Sequence, residues 1–348
     1  MEKTVREIAE EREKEYLSPL AVKSVDGVRE VKEDECPLRT CFQRDSDRII
    51  HSKAFRRLKH KTQVFLSPEG DHYRTRLTHT LEVNQIARTI ARALGLNEYL
   101  TEATALGHDL GHSPFGHAGE RALNEVSPLG FSHNEQSVRV AKRLEKDGRG
   151  LNLTLQCLDG IMWHCEDGAA ATLEGQIVRY ADVIAFINHD IDDAVRGKVL
   201  SKEDLPKDII AVVGDRHSVR IGRMIEAAVN KSRENMEKAV KDGSGVTRGI
   251  IDLEPEVREA TFALKQFMFD RVYLGSEAKK EEGKAIEIVK ILYEYFVSNP
   301  DRLTGEYRAI LEAEGPDRAA LDMVASMSDS YAVRLFSEIY IPKKWQLL

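Results

Sequence analysis

The sequence predicts an all-α protein. Most of its 348 residues fall into segments whose apolar side chains recur every three or four positions, which is the period of an amphipathic helix. No series of alternating apolar and polar runs marks a sheet, although the segment TQVFL leaves room for one small β-hairpin. The hydrophobic content of 42% is enough for one large core or two closely joined domains.

The first helices are placed by their end signals. Thr4 is a candidate N-cap for the helix in TVREIAEEREKEYL, and Ser18 with Pro19 ends that helix. The segment up to KEDECPLRT is rich in turn formers. The run DSDRIIHSKAFRRL has its apolar residues, such as Ile49 and Phe55, at helical spacing, which predicts a helix.

The next three predicted helices lie before, within and after the segment that contains His108, Asp109 and Gly116. RLTHTLEVNQIARTIARALG predicts a strong amphipathic helix that Gly95 closes. Its apolar face contains Leu77, Leu81, Ile86, Ile90 and Leu94. The helix in EYLTEATALGHD ends at His108 and Asp109, and another begins near Gly116.

Later segments continue the helical series. NEQSVRVAKRLEK, LTLQCLDGIMWH and LEGQIVRYADVIAFINHDIDDAV each have helical spacing, and SKEDLPKD resembles a linker. We therefore expect a core with an N-terminal helical extension over residues 1–200. A helical region over residues 201–348 is expected to pack on that core and to contribute to oligomerisation.

Charge and composition limit the class of protein. The net charge of −7 disfavours a surface coated for nucleic acid. From Arg44 to Arg76, however, nine Lys or Arg residues face four Asp or Glu residues, an excess that suits a small polyanion or a solvated helix. The absence of a long apolar stretch and of a signal-peptide core predicts a cytoplasmic protein without membrane attachment. The four cysteines match no zinc spacing and are expected to be free thiols.

The histidines are concentrated in one part of the chain. Ten of the eleven lie between His51 and His189. His79 lies in the middle of an amphipathic helix, His108 and Asp109 end the next, and Asp182 lies in the apolar run VRYADVIAFI. Imidazole and carboxylate donors together suit a divalent metal ion. Taken singly, each residue could equally be a hydrogen-bonded core histidine, a cap or an ion-pair partner.

The order His, His-Asp, Asp resembles the HD-domain phosphohydrolases. RTRLTHTLEV, HDLGHSPFGHAGE, FSHNEQS and LEGQIVRYADVIAFINHDIDD further resemble the bacterial deoxyguanosine-triphosphate triphosphohydrolases over roughly residues 4–195, and DMVASMSDSYAVRL extends the resemblance more weakly. This implies one divalent ion (Mn, Mg, Fe, Co, Ni or Zn) held by His79, His108, Asp109 and Asp182. It also implies hydrolysis of a deoxynucleoside triphosphate to deoxynucleoside and inorganic triphosphate by attack of water on the α-phosphate.

A second group is expected to transfer protons. His117 and Glu120 are three residues apart at a helix start and so share a face, where Glu120 can hold the imidazole and raise its pKa. The resemblance points to the same pair, and it places His112 and His133 around the phosphates. For His133 the alternative is an N-cap-region residue before Asn134.

The resemblance also supplies substrate contacts. It implies that Arg76 binds phosphate, that Gln63 contacts the sugar and that Asp190 accepts from the 3′-hydroxyl. Basic residues are expected to line the entrance, and some of them to be only solvated: Arg56, Arg57, Lys59 and Lys61.

Two positions depart from the family pattern. Phe186 stands where the family often has Tyr, and Val183 stands where a polar residue is usual. Both changes affect how the sugar would be recognised more than the hydrolysis itself.

Three further expectations stay open at this point. The chain could be another HD phosphohydrolase, such as a nucleotidase or a cyclic-dinucleotide phosphodiesterase, or a non-catalytic scaffold that senses nucleotides or binds single-stranded nucleic acid. The resemblance implies a homo-oligomer, a tetramer or a hexamer. It also raises an allosteric nucleotide site whose position the sequence does not identify.

Overall fold

The computed structural model describes residues 3–63, 74–165, 169–273 and 278–342. These residues contain sixteen α-helices and no β-strand, so the predicted all-α class is confirmed. Two isolated bridges pair Arg29 with Thr154 and Thr62 with Thr75. Most of TQVFL, where a hairpin was expected, lies outside the described residues. Across the described segments, no helix combines the length and the apolar character that a membrane crossing requires.

The chain divides into two compact units that alternate along the sequence. The first comprises residues 1–52, 78–108 and 151–276, and the second comprises residues 53–77, 109–150 and 277–348. The domain division predicted near residue 200 stays a prediction. The four cysteines are free thiols, as the sequence predicted.

The first unit contains nine helices in its described residues. They are α1 (Val5–Tyr16), α2 (Cys41–Ile50), α4 (Arg76–Leu94, from its third residue onward), α5 (Glu98–Gly107), α8 (Leu155–Met162), α9 (Leu173–Arg196), α10 (Lys207–Val213), α11 (His217–Asp242) and α12 (Pro255–Met268).

The second unit contains seven helices in its described residues. They are α3 (Lys53–Arg57), α6 (His117–Val126), α7 (His133–Arg139), α13 (Ala278–Ser298), α14 (Glu306–Glu314), α15 (Pro316–Ala325) and α16 (Asp329–Tyr340). Helix α13 packs against α6, α15 and α16.

The core of the first unit is built around α5 and α9. Helix α5 packs against α2, α8 and α9, and sixteen of the 24 residues of α9 are buried. Gly107 closes α5 where a Cβ atom would come within 2.5 Å of Cδ1 of Ile161. A larger residue here would have to displace the Ile161 side chain, so glycine suits the end of α5, directly before His108.

Several predicted helix ends are confirmed. Thr4 forms a capping box at the start of α1, Gly95 follows α4 with φ of 66°, and α6 begins at His117. Leu81, by contrast, is 48% exposed and does not belong to the buried face of α4.

The helix predicted over DSDRIIHSKAFRRL is interrupted at His51 and Ser52. The carboxylate of Glu145 accepts hydrogen bonds from the backbone amides of Lys53 (3.0 Å) and Ala54 (2.7 Å). These bonds satisfy amides at the start of α3, so a new helix begins there.

Candidate active site

His108 is held in one tautomer by its own helix. The residue caps α5, is 1% exposed, and its Nδ1 lies 2.6 Å from the carbonyl oxygen of Ala105. A carbonyl oxygen only accepts, so Nδ1 carries the proton. The lone pair of the neutral ring is therefore on Nε2, which is the arrangement of a metal-binding histidine.

His79 is oriented by a chain of hydrogen bonds that runs back to α9. The Nδ1 atom of His189 lies 3.2 Å from Oδ1 of Asp190, so this nitrogen donates and the Nε2 atom of a neutral His189 accepts. Nδ1 of His79 lies 2.8 Å from that Nε2 and donates to it when His189 is neutral, and the same Nε2 lies 3.6 Å from Oε2 of Glu82. With a neutral His189, the lone pair of His79 is on its own Nε2.

That lone pair faces a carboxylate. Nε2 of His79 lies 3.0 Å from Oδ1 of Asp182, and with a neutral His189 both of these atoms are acceptors. Two acceptors at this distance repel each other unless a cation, or an added proton on His79, lies between them. In an octahedral site with bonds of about 2.1 Å, neighbouring ligand atoms are about 3.0 Å apart. The ring of His108 has its centroid 5.6 Å from that of His79. These donors fit a divalent metal ion.

Asp109 follows His108 in the chain and begins a segment of the second unit. Its Oδ2 accepts a 2.8 Å hydrogen bond from Nη1 of Arg76, and both side chains are nearly fully buried. Arg76, predicted to contact phosphate, is thus ion-paired with a predicted metal ligand. Gly116 leaves it little space, because a Cβ atom there would lie 3.0 Å from Nη2 of Arg76.

The second unit brings the four predicted catalytic residues together. One ligand atom from each of His112, His117, Glu120 and His133 lies within 4.8 Å of the others. Glu120 is the centre of this group: its carboxylate lies 3.0 Å from Nδ1 of His117 and 2.9 Å from Nδ1 of His133. It also accepts a 2.8 Å bond from the backbone amide of His133. The His117 side chain is 64% exposed, so solvent and ligands can reach it.

Burial and partners set the charges in this group. Burial raises the pKa of Glu120, but hydrogen bonds from His117 and His133 outweigh it, and the net pKa lies well below the usual value. Burial, with Arg76 and His133 nearby, lowers the pKa of His112 well below its ordinary value. His112 stacks on His133 with 4.5 Å between ring centroids. Among the described residues its buried Nδ1 has no hydrogen-bond partner.

The predicted substrate contacts differ in accessibility. Phe186 and Val183 are partly exposed on α9, and Arg56 is exposed on α3. Asp190 is fully buried beside His189. Gln63 is partly buried, and its Oε1 has no hydrogen-bond partner within the described part of the chain.

Lys61 does not belong to an exposed basic entrance. It is 3% exposed, burial lowers its pKa to about 7, and its Nζ donates to the carbonyl oxygen of Ala325 at 3.0 Å.

His189 has no predicted role in the sequence, although it belongs to the cluster of ten histidines. The same holds for His164, which is 3% exposed and whose Nδ1 lies 2.7 Å from the carbonyl oxygen of Ile161, as in His108. The concentration of histidines was the available signal for both.

Known proteins share this sequence over nearly its full length. Residues 76–187 match the HD domain family, and residues 251–338 match the phosphohydrolase-associated domain family. A deoxyguanosinetriphosphate triphosphohydrolase-like protein of Caldanaerobacter subterraneus subsp. tengcongensis is 54% identical, covering 98% of this chain and 97% of that protein. The chain belongs to this family. A relative with the same description from Clostridium perfringens is 49% identical, covering 97% of this chain and 98% of that protein.

The protein is therefore an HD-domain phosphohydrolase of the deoxyguanosinetriphosphate triphosphohydrolase-like family, as the sequence motifs predicted. A phosphohydrolase of known crystal structure from Bacteroides thetaiotaomicron has a similar fold, with a TM-score of 0.50 and 18% identity. That likeness covers 84% of this chain and 67% of the other. The family assignment makes a divalent metal site the expected use of the buried histidine and aspartate side chains.

Proposed function

We propose that the protein hydrolyses deoxynucleoside triphosphates to deoxynucleoside and inorganic triphosphate. The observation that carries the proposal is the approach of His79 Nε2 to Asp182 Oδ1 at 3.0 Å, a pair of atoms that a cation between them would stabilise. With His108 they supply three of the four ligands that the family resemblance implies, and Asp109 is the proposed fourth. A bound Mn, Mg, Fe, Co, Ni or Zn ion would polarise the α-phosphate and activate water there.

The group around Glu120 supplies the proton for the leaving group. A 5′-alkoxide leaves poorly unless it is protonated as the bond to phosphorus breaks. His117 is accessible, and its Nδ1 lies 3.0 Å from the carboxylate of Glu120, which its histidine partners keep ionised. His117 therefore donates to the 5′-oxygen, while Glu120 orients it together with His133. The low pKa of His112 keeps it neutral, so it contacts phosphate as a hydrogen-bond donor.

The substrate contacts follow the same reasoning. Arg76 is buried and positively charged, which suits an α-phosphate. The buried Oε1 of Gln63 suits a hydroxyl donor from the sugar. Phe186 keeps an aromatic wall without the hydroxyl of the usual tyrosine. Asp190 is the proposed acceptor for the 3′-hydroxyl, and Arg56 is a proposed phosphate contact at the entrance.

The remaining proposals concern the setting of the protein. A cytoplasmic location suits a nucleotide substrate and free thiols. A homo-oligomer, either a tetramer or a hexamer, and an allosteric nucleotide are proposed from the family resemblance alone. Single-stranded nucleic acid is the weakest proposed partner, because the net charge is −7.

Product analysis tests the proposed reaction. The purified protein is incubated with each of the four deoxynucleoside triphosphates and with Mn²⁺, Mg²⁺ or Co²⁺, and the products are separated by ion exchange. We expect inorganic triphosphate and free deoxynucleoside in equal amounts. Pyrophosphate or orthophosphate as the first product would assign the protein to another phosphohydrolase reaction. Nucleotide binding without any product would indicate a sensing scaffold.

A further inference from the structure

Asp329 joins two segments of the second unit that are far apart in sequence. It is the first residue of α16 and is 5% exposed. Its Oδ2 accepts from the backbone amide of Thr62 at 2.9 Å and also from the Thr62 hydroxyl. Its Oδ1 accepts from the backbone amide of Phe115 at 2.9 Å. One carboxylate thus satisfies three donors from residues 267 and 214 positions away.

Both segments carry residues of the candidate active site. Thr62 immediately precedes Gln63, and Phe115 lies between His112 and His117. Phe115 has φ of 62°, a left-handed conformation that is rare for a bulky side chain. Such a conformation persists when the surrounding contacts hold it in place. The bond from its amide to Asp329 is a contact of that kind.

Lys61 makes a parallel connection to the same part of the chain. Its buried Nζ donates to the carbonyl oxygen of Ala325, at the end of α15, and to the carbonyl oxygen of His112. The turn between α15 and α16 therefore contacts both the segment before Gln63 and the loop that carries His112. None of these contacts involves an atom that would react or bind substrate.

We infer that Asp329 is a positioning residue for the active site. It fixes the loop of residues 112–117 relative to the segment of residues 61–63, and so sets where His112, His117 and Gln63 lie. The phosphohydrolase-associated region, which includes α15 and α16, thereby controls the geometry of the catalytic loop. The catalytic part of this inference rests on the proposed function, whereas the structural part does not.

Asp45 provides a matched control. It is fully buried, and its Oδ2 accepts from the amide of Thr154 at 3.0 Å and from the Thr154 hydroxyl at 2.6 Å, while its Oδ1 accepts from Nη1 of Arg29 at 2.6 Å. This carboxylate–threonine pair resembles that of Asp329 and Thr62, but it lies in the first unit and touches none of the candidate site residues. Asp329→Asn and Asp45→Asn each replace one buried acceptor oxygen by an NH2 group, which can only donate, and keep the other oxygen as an acceptor.

The test compares kcat, KM, metal content, melting temperature and amide hydrogen exchange in the two variants. We expect Asp329→Asn to lower kcat/KM about tenfold or more, since small misplacements of reacting groups have large effects. Exchange in peptides covering residues 61–63 and 112–117 should accelerate, and metal content should stay unchanged. Asp45→Asn should lower the melting temperature without either change.

The inference would be overturned if Asp329→Asn kept its kcat/KM and its exchange in both peptides. It would also be overturned if the two variants lost activity in proportion to their loss of melting temperature, because that result describes a purely structural residue. If Asp329→Asn fails to fold, Thr62→Ala removes only the hydroxyl bond and should give a smaller change of the same kind. If the wild-type protein releases no triphosphate, the proposed function fails, and the exchange measurement still decides the role of Asp329.

Discussion

Three histidines of the first unit and two of the second unit differ in what their Nδ1 atoms face. In the first unit, His108 and His164 face backbone carbonyls, and His79 faces the ring of His189. In the second unit, His117 and His133 both face the carboxylate of Glu120. A neutral acceptor fixes the tautomer and leaves a lone pair on Nε2 for a metal ion. A carboxylate orients the ring through Nδ1, which suits transfer of a proton at Nε2.

The largest effect is expected from removing a ligand of the proposed metal site. Asp109→Ala should leave the protein without bound metal after gel filtration and without measurable hydrolysis, because a carboxylate donor is lost. Metal analysis and triphosphate release measure the two results, and circular dichroism checks that the variant is folded. Full metal content in this variant would remove Asp109 from the ligand set.

The next largest effect is expected from replacing His117, which lies outside the proposed metal site. His117→Ala should lower kcat by about 10²–10⁴-fold, the usual contribution of a general acid, while metal content stays at the wild-type value. The side chain is 64% exposed, so its loss should not disturb folding. His60→Ala, which changes another exposed histidine of the second unit, is the control and should keep full activity. Loss of metal from His117→Ala would contradict the division of roles.

The pKa values of two glutamates, Glu120 and Glu174, are shifted in opposite directions. The imidazole partners of Glu120 hold its pKa well below the usual value. Burial raises the pKa of Glu174 to about 7 and outweighs the hydrogen bonds that its Oε1 accepts from the backbone amides of Val22 and Asn97, each at 3.0 Å, which lower it. The folded state therefore holds a proton that the unfolded chain releases above its ordinary pKa of 4.5. Stability should fall as the pH rises from about 4.5 to about 7, by an amount on the order of 3 kcal/mol.

Glu174→Gln tests whether Glu174 causes this fall in stability with rising pH. Glutamine keeps the acceptor oxygen but cannot ionise, so the free energy of unfolding from urea titrations should lose most of that pH dependence. Glu237→Gln, at an exposed position of α11, should keep the wild-type dependence. A wild-type slope in Glu174→Gln would show that another group is responsible.

Local signals predicted much of the fold and of the site. Thr4, Gly95 and His117 mark helix ends through bonds and conformations that involve only nearby residues. The interruption at Ser52 was not predictable in this way, because the carboxylate that caps α3 comes from Glu145, 91 residues after Ala54. The contact of Asp329 with Thr62 was not predictable for the same reason, because the two residues are 267 positions apart.

The candidate site also has features that the sequence carries and features that only the folded chain reveals. The order of His79, His108, Asp109 and Asp182 is a pattern that the sequence carries. Which atom each imidazole offers depends on acceptors such as Ala105 and His189, and only the folded chain identifies them.

The smallest effect is expected from replacing His189, which contacts the proposed metal ligand His79 but is not itself a proposed ligand. His189→Ala removes the acceptor that holds Nδ1 of His79, so metal affinity should fall about 10–100-fold, the usual cost of losing an outer partner of a ligand. Competition with a chelating dye measures this without reference to activity. Asp190→Asn is the companion variant, because its amide oxygen still accepts from Nδ1 of His189 and should keep metal affinity near the wild-type value. Unchanged metal affinity in His189→Ala would mean that packing alone holds His79 in place. The difference between the histidines of the two units would then concern their tautomers and not metal binding.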